Sequence, residues 1–157
     1  MLPRVRLATL DEAPLVHATM IASFEEYRTL LVVPSSAHTE TIDDVRSSME
    51  KGGAVIASFS SDESPAGCAR FRVDPDALYV GRVAVLPAHR RRGVASAMMR
   101  FLEGHAGERK RDTIRIIARE SLPGNVELYR GLGYEIVKVA PHPRGPDREV
   151  WMQKRLA

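Results

Sequence analysis

The chain has 157 residues, 44% hydrophobic and 27% charged, which suits one domain over 1–157 and is too short for two ordinary ones. A formal charge of +3 gives no strong bias toward an anionic partner, and the single Cys68 excludes an intramolecular disulfide. No apolar run approaches the roughly 18 residues that span a bilayer, and "MLPRVRLATLDE" lacks the apolar stretch of a secretory signal. No membrane association and a cytoplasmic location are therefore expected.

"RVRLA" reads as a first strand. In "TLDE", Thr9 and Glu12 have the capping-box form, so a helix is expected from there, with Pro14 in its first turn and Leu15, Ala18, Ile21 and Ala22 marking its apolar face toward Phe24. "VVPSSAHT" breaks that pattern, and "TIDDVRSSMEKGG" gives a second capped helix ending at a glycine pair. From residue 54 the period changes to that of strands: "AVIASF", "AGCARFRV" and "ALYVGRVAVL" are separated by the turn formers "SSDESP" and "DPD", which predicts an antiparallel meander. A helix over 93–105, a strand "TIRIIA", a short helix "NVELYRGLG" and two strands, "YEIVKV" and "REVWMQ", complete the chain. The order β-α-α-β-β-β-α-β-α-β-β predicts an α/β (α+β) mixed sheet of seven strands covered by about four helices.

The stretch "VLPAHRRRGVASAMM" calls for an explanation of its own. Pro87 ends the fourth strand, because it has no N–H for the ladder, and the next helix starts near Gly93, so "AHRRRG" is a strand-to-helix turn. The first turn of a helix presents unpaired N–H groups and about half a positive charge. Gly93 lets a ligand approach the backbone, and the small Ala95 and Ser96 leave the turn uncluttered. These features describe an anion site, with Arg90, Arg91 and Arg92 adding long-range attraction. Neither G-x-x-x-x-G-K-[ST] nor G-x-G-x-x-G occurs in the chain. By contrast "ERKRD" reads as a solvated loop, Met98 and Met99 as core, and Cys68 as a buried structural thiol. No His, Cys and Asp spacing suggests a metal site.

Arg90, Gly93 and Ala95 match the Arg/Gln-x-x-Gly-x-Gly/Ala signature of the GCN5-related N-acetyltransferases, and "RVAVLP" precedes it as in that family. "LPGNVELYRGLGY" is similar to the family's Asn-x-x-x-Tyr-x-x-x-Gly-aromatic segment, one helix and one strand further on. The sequence resembles that family over most of its length. The resemblance implies a sheet that splays between strands 4 and 5 and acetyl-CoA as the donor. The pyrophosphate would rest on the backbone amides from Arg91 through Gly93, Val94 and Ala95 to Ser96. The pantetheine arm would pair with strand 4 at Val83 and Val85, where a splayed strand has backbone groups to satisfy. Asn125 would reach the cofactor or the strand-5 backbone, and Arg130 the adenosine 3′-phosphate. The resemblance also assigns Tyr129 as proton donor to the departing thiolate.

Acetyl transfer to an amine needs a neutral amine and a donor for the oxyanion, here the Val85 backbone N–H. At pH 7 a lysine-like amine is neutral in only about one molecule in a few thousand, an α-amine in about one in ten, so a base matters more for the first. Many relatives place a glutamate on strand 4, but "ALYVGRVAVL" contains no carboxylate. Glu25, Glu26, Glu120 and the more remote His38 are the candidate bases, with Glu26 preferred because "FEEYR" interrupts an apolar helix face. The acceptor pocket is expected around Glu25 to Arg28, the 33–40 loop, Arg70 and Arg72, and "PHPRGPD". Arginines there favour an acceptor carboxylate and glutamates a polyamine or lysine, so the acceptor is a small-molecule or peptide amine of either kind. Without a strand-4 carboxylate, a non-catalytic acyl-CoA sensor is the alternative. Nucleic acid is not an expected partner, because aromatics are only 6% and none interleave with basic residues. Late strands often pair between subunits in this family, so Val150, Trp151 and Met152 mark either a homodimer contact or an internal strand.

Overall fold

The computed structural model describes residues 2–26, 31, 33, 35–59 and 64–156. Tyr27 and Arg28, expected on the acceptor wall, and most of the 60–65 turn lie outside the described residues. The strands are β1 (Arg4–Leu7), β2 (Gly53–Ser58), β3 (Gly67–Val73), β4 (Leu78–Val85), β5 (Thr113–Arg119), β6 (Glu135–Pro141) and β7 (Arg148–Arg155). The helices are α1 (Ala13–Phe24), α2 (Ile42–Lys51), α3 (Val94–Glu108) and α4 (Pro123–Gly131). They build one mixed seven-stranded sheet in the order β1-β2-β3-β4-β5-β7-β6, in which β4 and β5 form the parallel pair and the other pairs are antiparallel.

Two apolar layers sandwich the sheet. On one face Met98, Met99, Leu102 and Ala106 of α3 pack on Val55, Phe71, Leu78, Val80, Ile114 and Met152. On the other, Val16, Met20 and Phe24 of α1 and Val45 and Met49 of α2 pack on Ala54, Ile56, Cys68 and Ala84. The middle strands thus bury both faces, and that is why "AVIA" is an apolar run without alternation. Cys68 is buried, its thiol is pushed up to about 12 by burial, and Sγ faces the Val16 carbonyl oxygen at 3.7 Å, as suits a structural thiol.

Several boundaries differ from the sequence pattern for local reasons. Thr9 and Glu12 do cap, but a 3-10 turn Leu10–Glu12 intervenes before α1. The buried face of α1 is Ala13, Val16, Met20 and Phe24, not the expected stripe of Leu15, Ala18, Ile21 and Ala22. That helix is apolar on nearly every side, so periodicity cannot mark its face. α3 runs one turn past 105, taking in Glu108, and α4 starts at Pro123, which suits a first helical turn. "REVWMQ" is an internal strand: β7 is hydrogen-bonded to β5 on one side and β6 on the other.

The central strand controls the site. Gly67 faces Val85, Cys68 faces Ala84 and Arg70 faces Gly81, so Arg82 and Val83 together oppose Ala69 in a β-bulge, with Arg82 at φ 52°. On its other side β4 pairs with β5 only from Leu78 to Val80. Beyond Val80 the two strands part.

The entry to α1 is pinned by Glu12, which accepts two bonds of 2.7 Å from Arg6 and one of 3.0 Å from the Thr9 N–H. The Arg6 bonds, with those from Thr9, lower its carboxyl from 4.5 to about 2. The folded carboxyl therefore holds its proton less readily than the unfolded one. Its stabilisation is complete above pH 4.5 and is lost as pH falls toward 2. Glu12→Gln should lower unfolding free energy by about 1 kcal/mol at pH 7. Denaturant titrations should show that difference vanishing at the acid end.

Candidate active site

A cleft of about 490 Å³ opens where β4 loses its neighbour. Its walls are the end of β4 (Val83, Val85), the turn and first residues of α3 (Arg90, Arg91, Gly93, Val94, Ala95, Ser96), and Asn125, Leu128 and Tyr129 of α4, with Ser23 and Phe24 of α1 closing one end. Ser23 and Phe24 had carried no signal of their own, being part of an apolar helix. The turn leaves β4 through a 3-10 turn, Pro87–His89, and then takes positive φ at Arg91 (60°) and Gly93 (80°). Gly93 is the N-cap of α3, with no side chain capping the helix, and a Cβ placed on it would meet nothing within 4 Å. The first-turn N–H groups of α3 thus face open space, the condition for holding an anion on backbone alone.

The unpaired part of β4 is turned the right way for this cleft. Leu86 N–H donates to the Ala66 carbonyl at 2.9 Å, and the antiparallel register continues to Gly67 and Val85. Since bonded and non-bonded pairs alternate, Val85 directs its N–H and C=O away from β3, toward the gap left by β5. The Val85 carbonyl accepts from Arg90 Nε at 3.2 Å.

The three arginines have three different fates. Arg90 spends its guanidinium on the protein: besides Val85 it donates to the Ser23 carbonyl at 3.1 Å and pairs with Glu26. The guanidinium of Arg92 lies 4.0 Å over the Phe59 ring and meets His89 Nδ1 at 3.2 Å. Arg91 lines the cleft, whereas Arg92 and Arg130 do not, and Arg130 is exposed near the end of α4.

A smaller cavity of about 130 Å³ continues through the parted strands and shares Phe24, Val83, Asn125 and Tyr129 with the first. Leu31, Ser35, Arg82, Arg119 and Leu122 are among its other walls. Tyr129 is buried at the junction of the two, its ring 6.2 Å from that of Tyr134. Tyr134 itself is committed elsewhere, donating to Glu103 at 2.9 Å, with burial and then Glu103 raising its hydroxyl far above the usual range. Among the described residues no carboxylate or imidazole lines the smaller cavity. The candidate bases lie elsewhere: Glu26 is paired with Arg90, Glu120 takes bonds of 2.7 and 3.1 Å from Arg148, Glu25 is exposed just past α1, and His38 sits in the 3-10 turn Ser36–Thr39.

Of the other residues expected around the acceptor, Arg70 and Arg72 line an adjoining cavity of about 500 Å³ instead. The "PHPRGPD" loop contributes indirectly. Its buried Asp147 accepts from Ser121 Oγ (2.6 Å) and Arg119 (3.3 Å), while Arg119 also donates to the Val33 carbonyl at 2.6 Å. Burial alone would raise the Asp147 carboxyl, but Ser121, Arg148 and Arg119 hold it below its ordinary value.

The profile of the Acetyltransferase (GNAT) family matches residues 20–134, a span that includes both cavities' principal walls. The chain belongs to that family. A stretch of 93 residues is 37% identical to the mycothiol acetyltransferase of Geodermatophilus obscurus, covering 56% of this chain. That match spans only 28% of the longer relative. Solved structures share the fold at low identity. The ribosomal-protein-S18-alanine N-acetyltransferase of Escherichia coli aligns with TM-score 0.77 and 16% identity over 99% of this chain and 95% of that one. A GCN5-related N-acetyltransferase of Rhodopseudomonas palustris gives 0.77 and 20% over 99% and 97%. A Bacillus cereus acetyltransferase gives 0.76 and 18% over 100% and 99%. Among the described residues no helix is long and apolar enough to cross a membrane, and no cluster of His, Cys, Asp and Glu could hold a metal ion.

The Arg90–Glu26 pair ties α1 to the end of β4, so it is a structural latch on the cleft. Arg90→Ala should cost about 1–2 kcal/mol in denaturant unfolding, less than a buried charged bond because the pair is partly exposed. A double-mutant cycle with Glu26→Gln should return a coupling of about 0.5–1 kcal/mol.

Proposed function

We propose that this acetyltransferase is an N-acetyltransferase that moves the acetyl group of acetyl-CoA to the amine of a small molecule or peptide by direct attack, with both substrates bound together. The observation that carries the reading is that the cleft at the uncapped start of α3, beside the unpaired side of β4, shares Phe24, Val83, Asn125 and Tyr129 as walls with the smaller cavity. The residues fit the donor: Gly93 leaves the α3 amides open to a pyrophosphate, and Val83 and Val85 have no β5 partner, so an amide-bearing arm can take the missing strand's place. Acetyl-CoA supplies an activated acetyl thioester.

The remaining chemistry belongs to the chain. The Val85 N–H, turned into the gap, is the donor for the carbonyl oxygen as it gains negative charge. Tyr129, at the junction of the cavities, donates the proton needed by the departing thiol sulfur. Asn125 lies opposite Val83 in both cavities and positions the arm. Since no described acid or imidazole lines the acceptor cavity, the amine is best supplied as one of moderate basicity, already neutral in about one molecule in ten at pH 7. The mycothiol acetyltransferase relative supports acetyl transfer, and its acceptor is not carried over across so short a match. The same lack of a lining base favours a second reading, a non-catalytic acyl-CoA sensor.

Calorimetric titration with acetyl-CoA should show one site per chain, lost in Gly93→Glu, whose side chain would enter the open space before α3. Retained affinity in that variant would refute the backbone cradle. Tyr129→Phe should keep donor affinity but lower kcat by about two to four orders of magnitude. Undiminished turnover would remove Tyr129 from the reaction, and donor binding without thiol release across a broad amine panel would favour the sensor.

A further inference from the structure

Arg82 stands on the wall shared by the acceptor cavity and the adjoining 500 Å³ cavity. Its Nε donates to Glu40 Oε1 at 2.9 Å and its Nη2 to Ser36 Oγ at 2.6 Å. Arg70, from β3, donates to the same Glu40 oxygen at 2.5 Å. Burial would raise the Glu40 carboxyl, but the two guanidinium groups overcome this and hold it below its ordinary value, so it is ionised. Two guanidinium groups thus share one carboxylate oxygen, and Asp44 adds a more distant negative charge that Arg70 also feels. Arg70 is the buried member, its side chain only 7% exposed and its Nε without a hydrogen-bond partner, while Arg82 reaches the cavity wall half-buried.

Among the ion pairs of the described residues, two arginines share one carboxylate only in this cluster. Around it Arg72 is matched by Asp74, Arg115 by Asp76, Arg119 by Asp147 and Arg148 by Glu120, one to one. A guanidinium does not shed its proton, and two of them on one carboxylate oxygen keep donors to spare that a further anion can take up. Planar forks of N–H donors suit a carboxylate best.

We propose that the acceptor is a small amine bearing its own carboxylate, an amino acid in the chemical sense, with the carboxylate received by Arg82 backed by Arg70 and the amine facing Val83 and Tyr129. This rests on the acetyltransferase reading and narrows its substrate. Size supports it: Arg82 and Val83 are consecutive residues, and the cavity that Arg82, Val83 and Tyr129 line is small, about 130 Å³, so amine and carboxylate are only a few bonds apart. The electrostatics also help the reaction. Cations beside the amine disfavour its protonated form, and pairing the carboxylate removes the field that keeps an amino acid's ammonium charged. The cluster thereby supplies part of what a missing general base would do.

The test uses the whole chain with acetyl-CoA and measures thiol release from free amino acids, their primary amides and the matching decarboxylated amines. The free acids should exceed the amides in kcat/KM by about tenfold or more, mostly through KM. In Arg82→Gln that preference should fall to near unity, with acetyl-CoA affinity by calorimetry reporting that the variant is folded. Amides or simple amines turned over as well as the acids by the unaltered protein would overturn the carboxylate assignment and leave the acetyltransferase reading standing, whatever the variant does. Donor binding with no thiol release from any of the three series would overturn both.

Discussion

The chemistry of this molecule depends on β4 having a neighbour on only one side beyond Val80. A parallel partner over three residues holds the strand in the sheet, and the bulge at Arg82 and Val83 then bends it away from the line β5 follows. A strand left half-paired in a buried place normally carries a large penalty, because each orphan N–H or C=O costs of order 1–3 kcal/mol. Here the Arg90 guanidinium meets the Val85 carbonyl, and the Val85 N–H faces the gap beside β5. The opening is therefore a built feature of the sheet, closed off by α4 on one side and the end of α1 on the other.

Arginine is the currency of the site's electrostatics, but most of it is spent internally. The residue that opens the arginine run, Arg90, holds α1 to β4 through Ser23 and Glu26, and Arg92 stacks on Phe59. At the α3 start the cleft is lined by backbone and by Arg91, and the proposed pyrophosphate would find fixed amides there with one cation beside them. Around the smaller and adjoining cavities the described arginines pair one to one, except Arg70 and Arg82, which share Glu40.

Those arginines bear directly on the proton problem. Under the proposed reading the amine would sit in the smaller cavity, whose described walls hold no acid or imidazole to take its proton at short range. A positive environment acts on the same equilibrium from the other direction, by making the ammonium form less favourable.

The sequence alone determined the order of the elements, the mixed sheet and the strand-to-helix turn that lines the larger cleft, though not the Ser23 and Phe24 end of it, because these rest on short-range rules. Capping residues, strand alternation, the proline that ends β4 and the glycine that opens α3 all act within a few positions of one another. It also carried the segments at 82–96 and 122–134 that mark the family. What it could not determine was the partner of each long charged side chain. Glu26 and Arg90 are 64 residues apart, and Arg82 meets Glu40 across 42, so nothing local foretells that the first pair latches the cleft or that Arg82 shares its carboxylate with Arg70. The bulge hid Arg82 further, since one extra residue reverses the alternation that assigns side chains to faces. Even the buried stripe of α1 was settled only by packing, because a helix apolar on most sides offers the sheet several faces and the tertiary fit chooses one.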